Sequence, residues 1–86
     1  MEVGRIEAVK VTAKVQHVDI GYRTFLIQNL SDSPVYIKNK DAGSAALTVE
    51  NGFAILPKTT LDKPLSCETL SIIGSGEADV RILYAE

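Results

Sequence analysis

Between Glu7 and Asp19 the chain alternates with a period of two. Val9, Val11, Ala13 and Val15 fall on one side, and Lys10, Thr12, Lys14 and Gln16 on the other. Successive side chains of an extended chain point to opposite faces, so this pattern predicts a long strand with one wet face. His17 continues the valine face and Val18 breaks the phase. The same period returns near the end, where Val80, Ile82 and Tyr84 are expected inward and Asp79, Arg81 and Leu83 outward. No stretch carries the 3.6-residue period of an amphipathic helix. Composition agrees, because Val (8), Ile (8) and Thr (6) make up 22 of the 86 residues. β-Branched side chains lose rotamer freedom in helices and pack well on a pleated sheet.

Turn residues divide the chain at short intervals. Thr24 to Leu30 reads as a strand, Ser31-Asp32-Ser33-Pro34 as a break, and Val35 to Lys38 as the next strand. Asp and Ser side chains bond the local backbone, while Pro removes a donor and fixes its own φ. Asp19-Ile20-Gly21 is a turn, and residues 38–45 form a polar loop. Asn51-Gly52 lies between two apolar runs, which predicts a two-residue hairpin with a type I′ turn. Its register would place Leu47, Val49, Ala54 and Leu56 in the core, with Phe53 and Ile55 outward beside Thr48 and Glu50. Pro64 keeps the segment 61–65 out of any central strand, and Leu61 and Leu65 are expected to cap one end of the core. Thr69 to Ile73 is a further strand, closed by Gly74-Ser75-Gly76-Glu77. About seven short strands at this spacing predict an all-β fold, a small antiparallel sandwich or barrel.

A chain of 86 residues makes one domain with one modest core. Residues 9–86 are expected to form that domain, with residues 1–8 either a frayed terminus or an arm that orders on a neighbouring subunit. The formal charge is −2, with nine basic residues scattered among eleven acidic ones. Nucleic-acid binding needs basic residues gathered on one face, so it is not expected. No apolar run reaches the length of a signal peptide or of a membrane span, so no membrane partner is expected. Cys67 is the single cysteine, and it reads as a small apolar filler. The single histidine, His17, has no second histidine to share a metal. Gly74-Ser75-Gly76 lacks the lysine and the helix of a phosphate loop. Asn29-Leu30-Ser31 is read as a chance match to a glycosylation sequon. No catalytic residue, metal ligand or cofactor site is assigned, and no enzymatic activity is expected.

What the sequence does offer is an excess of apolar side chains. The run 24–30 is apolar on both faces, with Phe25 and Ile27 on one and Leu26 and Leu30 on the other. Such a strand is either central in a covered sheet or touches another subunit. Phe53 and Ile55 pose the same choice, between cover by a loop and contact with a partner. Leu26, Leu30, Phe53 and Ile55 are therefore the candidate partner contacts. An exposed edge strand also invites pairing with another chain, so a homo-oligomer is expected, a trimer among the options.

Taken together, Arg23-Thr24-Phe25-Leu26-Ile27-Gln28-Asn29-Leu30-Ser31-Asp32-Ser33-Pro34-Val35-Tyr36-Ile37, the Asn51-Gly52 turn leading to Leu56-Pro57, Ser71-Ile72-Ile73-Gly74-Ser75-Gly76, and the closing Ala78 to Leu83 resemble small β-sandwich structural proteins of tailed bacteriophages. The likeness covers roughly residues 20–86 and rests on turn and core positions. It implies a non-enzymatic virion component made in the host cytoplasm: a capsid decoration (cement) protein or a capsid-associated minor protein. The implied partner is the major capsid protein or another virion protein. The alternative from the residues themselves is a ligand- or carbohydrate-binding module, for which Tyr22, Tyr36 and Tyr84 are the available aromatics.

Overall fold

The computed structural model describes residues 3–40 and 46–85. They form eight strands: β1 (Val3–Val11), β2 (Gln16–Asp19), β3 (Thr24–Asn29), β4 (Val35–Asn39), β5 (Phe53–Ile55), β6 (Thr59–Ser66), β7 (Thr69–Gly74) and β8 (Ala78–Ala85). Two four-stranded antiparallel sheets pack as a sandwich. Sheet A has the order β1-β8-β3-β6 and sheet B the order β2-β7-β4-β5.

The pairings show how this order arises. β1 pairs with β8, β2 with β7, β3 with β6 and β4 with β5. Those are the partners of one long hairpin whose tip is the connection between β4 and β5. Rolling it up adds two further pairings, β3 with β8 and β4 with β7. The result is the eight-stranded jelly-roll arrangement, and it leaves no closed barrel.

Alternation then builds the core. The inner faces contribute Val9 and Val11, Val18 and Ile20, Phe25 and Ile27, Val35 and Ile37, Ile55, Leu70 and Ile72, with Ala78, Val80, Ile82 and Tyr84 from β8. Leu61 and Leu65 pack against this cluster from β6, one of the two edge strands of sheet A. The register of β6 slips between Leu65 opposite Phe25 and Leu61 opposite Ile27, an irregularity that spans Pro64. An edge accommodates a residue that cannot donate to a ladder.

One polar side chain belongs to this interior. Asn29 is fully buried. Its amide donates to the carbonyls of Ser33 (2.8 Å), Ile55 (3.0 Å) and Leu56 (3.3 Å). Its Oδ1 accepts from the Ser31 N–H (3.0 Å) and the Ser31 hydroxyl (2.7 Å). Asn29 therefore fastens the β3–β4 turn to the end of β5. A glycan on this nitrogen is incompatible with the fold, which gives the sequon match a structural explanation.

Three expectations are corrected. The terminal segment is not an arm from Val3 onward, because β1 starts there and pairs with β8; Met1 and Glu2 lie outside the described residues. The single long strand of residues 7–19 is two strands in different sheets, separated at Thr12–Val15. The chain crosses between sheets there without Gly or Pro, and the broken phase at Val18 is the trace of that crossing, since Val18 is buried in sheet B. Finally, Asn51-Gly52 does not close a hairpin. Residues 46–48 are not a strand, and β5 pairs with β4 instead.

Residues 46–52 fold into a self-contained turn. Gly52 N–H donates to Thr48 O (3.2 Å), and the Asn51 side chain accepts from Thr48 N–H (2.8 Å) and donates to Ala46 O (2.9 Å). Gly52 is required by crowding: a Cβ there would lie 2.6 Å from Leu47 Cδ1 and 2.7 Å from Tyr36 Cβ. The glycine that does need a positive φ is Gly21 (65°), followed by Tyr22 (61°), with Arg23 N–H donating to Ile20 O at 3.4 Å. Paired positive φ values are the mark of a type I′ turn.

Candidate interaction face

Residues directly opposite one another in a sheet share a face, and this rule places the four candidate contacts. Ile55 pairs with Val35 and takes its inward direction, so Ile55 is a core residue at 2 % exposure and cannot meet a partner. The outward placement read from the hairpin is thus corrected. Leu47 is buried as expected, but Leu56 and Val49 are exposed rather than core. Phe53 pairs with Ile37 at the start of β5 and stands 61 % exposed at the open flank between β5 and β6. There it lines an apolar groove with Leu61, Leu65, Phe25 and Leu70.

Leu26 and Leu30 point the other way, onto the outer face of sheet A. Leu83 of β8 is opposite both Ile6 of β1 and Leu26 of β3, so Ile6, Leu83 and Leu26 form an apolar row across three strands. Leu30, at the end of β3, extends it; its N–H is held by Asp79 O at 2.9 Å. These four residues line one shallow hollow, bordered by Gln28, Thr60 and Arg81. Ile6 is 61 % exposed and Leu30 36 %, while Leu26 and Leu83 are half-buried. The rim is polar. Gln28 donates to Thr60 Oγ1 (3.1 Å), and Lys58 Nζ donates to Leu30 O (2.7 Å) while lying 3.6 Å from Asp32. An apolar centre with a polar rim is the anatomy of a protein contact.

Ile6 and Leu83 were not among the candidates. Ile6 was hidden by reading residues 1–8 as a terminus outside the sheet. Leu83 was already outward in the alternation of the last strand, and an outward leucine beside an outward Leu26 was the available signal.

Tyr84, Cys67 and His17 are tied into the fold. Tyr84 is buried on the inner face of sheet A, and the guanidinium carbons of Arg5 (4.7 Å) and Arg23 (4.3 Å) both lie over its ring. Its hydroxyl donates to Glu7 at 2.7 Å. Burial, and then the bond to Glu7, push its ionisation above the ordinary tyrosine range. Burial likewise raises the Cys67 thiol, the opposite of an activated nucleophile. His17 Nδ1 lies 3.0 Å from Ser71 Oγ. Among the described residues no cluster of three or more His, Cys, Asp or Glu could hold a metal ion. Of the tyrosines, Tyr22 is 71 % exposed at the tip of its turn, Tyr36 lies under the 46–52 turn and Tyr84 is enclosed, so no aromatic platform for a sugar forms among them. Comparison of the chain with protein-family models, curated proteins and solved structures finds no match in any of the three.

Proposed function

We propose that this protein is a non-enzymatic structural component that binds a larger protein assembly through the outer face of sheet A. The observation that carries the reading is the row Ile6, Leu83 and Leu26 with Leu30, an apolar strip on a sheet face that no other described part of the chain covers. Fully burying an exposed leucine or isoleucine contributes roughly 1.5–3 kcal/mol, and Leu26, Leu30 and Leu83 are already partly out of water, so each has less than that left to contribute. Four such residues make a modest contact once the cost of association is subtracted. A modest contact suits a protein present in many copies on a lattice, where neighbouring sites add avidity.

The resemblance to small β-sandwich proteins of tailed bacteriophages supplies the kind of assembly: a virion, with the protein as a capsid decoration or capsid-associated minor protein on the major capsid protein. Co-sedimentation with expanded capsids of the encoding phage tests this. The expected result is saturable binding that Leu26→Glu weakens by more than about tenfold, one charge placed in an apolar contact being worth over 1.4 kcal/mol. Absence of co-sedimentation at low and high salt contradicts the capsid assignment.

A further inference from the structure

We infer that two copies of this chain pair edge to edge through β1, antiparallel about Ile6, so that two copies of sheet A join into one continuous sheet. The inference concerns the edge of sheet A, not its face, and does not rest on the capsid reading.

β1 is the end strand of sheet A and has β8 as its one neighbour among the described residues. It runs nine residues without a proline. The two devices that blunt it lie towards its ends: the register shift between Val3 and Ile6, and Gln16, whose side-chain amide donates to Lys10 O at 2.8 Å. That bond also shows the direction of the backbone. The Lys10 carbonyl points away from β8, and so, two and four residues back, do the backbone groups of Ala8 and Ile6. The stretch from Ile6 to Ala8 is therefore an open template for another strand.

Charge selects the register. Centring a two-fold axis on Glu7 would set Glu7 against its own copy, like charges directly opposite. Centring it on Ile6 sets Arg5 of each chain opposite Glu7 of the other. Each side chain keeps a solvent-facing part, at 55 % and 41 % exposure, while also touching Tyr84, and the two approach one another within the chain at 3.8 Å. In the same register the small residues Gly4 and Ala8 flank the central Ile6 pair, Gly4 lying within the register shift between Val3 and Ile6. Ile6 is itself the most exposed member of the apolar row. Pairing it with its copy joins the two rows end to end, Leu26–Leu83–Ile6 on one chain continuing as Ile6–Leu83–Leu26 on the other. The dimer then presents a strip twice as long on one side.

Sedimentation velocity over a concentration series of the whole chain, with amide hydrogen exchange, tests the pairing. The wild type is expected to pass from monomer to dimer, with the Ile6 and Ala8 amides gaining protection as the dimer forms. Ala8→Pro removes an N–H that is unpaired in the monomer, so it should abolish the dimer and leave the melting temperature within a few degrees. Arg5→Glu sets like charges opposite each other and should raise the dissociation midpoint at least about tenfold. The double variant Arg5→Glu/Glu7→Arg should restore association, a readout that a merely misfolded monomer would not give. A wild type that stays monomeric up to millimolar concentration overturns the inference. So does a dimer that survives Ala8→Pro. The capsid reading is tested separately by Leu26→Glu, which leaves the edge intact.

Discussion

The two outer faces of the sandwich are treated differently by the same chain. On sheet B the turn 46–52 folds back across the sheet: Leu47 is buried although it stands outside the main core cluster, and the turn presses so close to Tyr36 that position 52 has no room for a Cβ. On sheet A the equivalent apolar row, Ile6, Leu83 and Leu26, has no such cover among the described residues. A domain of this size has a thin stability margin, so covering one face is a stabilising use of a loop. Leaving the other bare is what a surface kept for a partner looks like. The difference between the faces, rather than apolar content as such, is what argues for assembly.

Substitutions separate the faces. The largest effect is expected under the turn: Leu47→Ala should cost about 3 kcal/mol in denaturant unfolding, as a buried leucine truncation does. Gly52→Ala should cost about 2 kcal/mol by pushing the turn off Tyr36, and should raise binding of a fluorescent apolar dye. If both are neutral, sheet B is not covered as described and the contrast fails. On sheet A, Leu83→Ala and Leu26→Glu should each change stability by about 1 kcal/mol or less, yet lower dye binding and partner binding together. The smallest effect concerns alkaline pH. The fold favours the protonated forms of Tyr84 and Cys67, so their contribution is complete below the ordinary range of each group. As pH rises through about 8.5 for the thiol and 10 for the phenol, the unfolded chain ionises first and stability falls. Tyr84→Phe should remove the upper part of that decline while leaving both outer faces unchanged.

Much of the fold was legible in the sequence, and the failures share a cause. The alternation of β8 gave Val80, Ile82 and Tyr84 inward and Asp79, Arg81 and Leu83 outward, and the structure agrees. β3 was likewise readable, with Phe25 and Ile27 in the core. Pro64 correctly excluded its strand from the sheet centre. Periodicity, however, describes a strand's faces and says nothing about which sheet the strand joins. Residues 7–19 kept nearly one phase while crossing from sheet A to sheet B. Asn51-Gly52 has the right chemistry for a type I′ hairpin, but β5 found a better partner in β4, and that pairing reversed Ile55 from outward to inward. Asn29 looked like one more residue of an apolar run, whereas its five hydrogen bonds depend on carbonyls more than 20 residues away as well as on its own turn. Of the candidate face, Leu26 and Leu30 could be read locally. Ile6 and Leu83 join them only through strand pairing across most of the chain's length.

The central claim is that the bare face of sheet A, and not the covered face of sheet B, meets the partner. Methyl cross-saturation on isoleucine- and leucine-labelled protein mixed with expanded capsids reads this directly. Saturation confined to the methyls of Ile6, Leu26, Leu30 and Leu83, with Leu47 unaffected, is the expected result. Saturation at Leu47, or at none of these methyls despite binding, would contradict it.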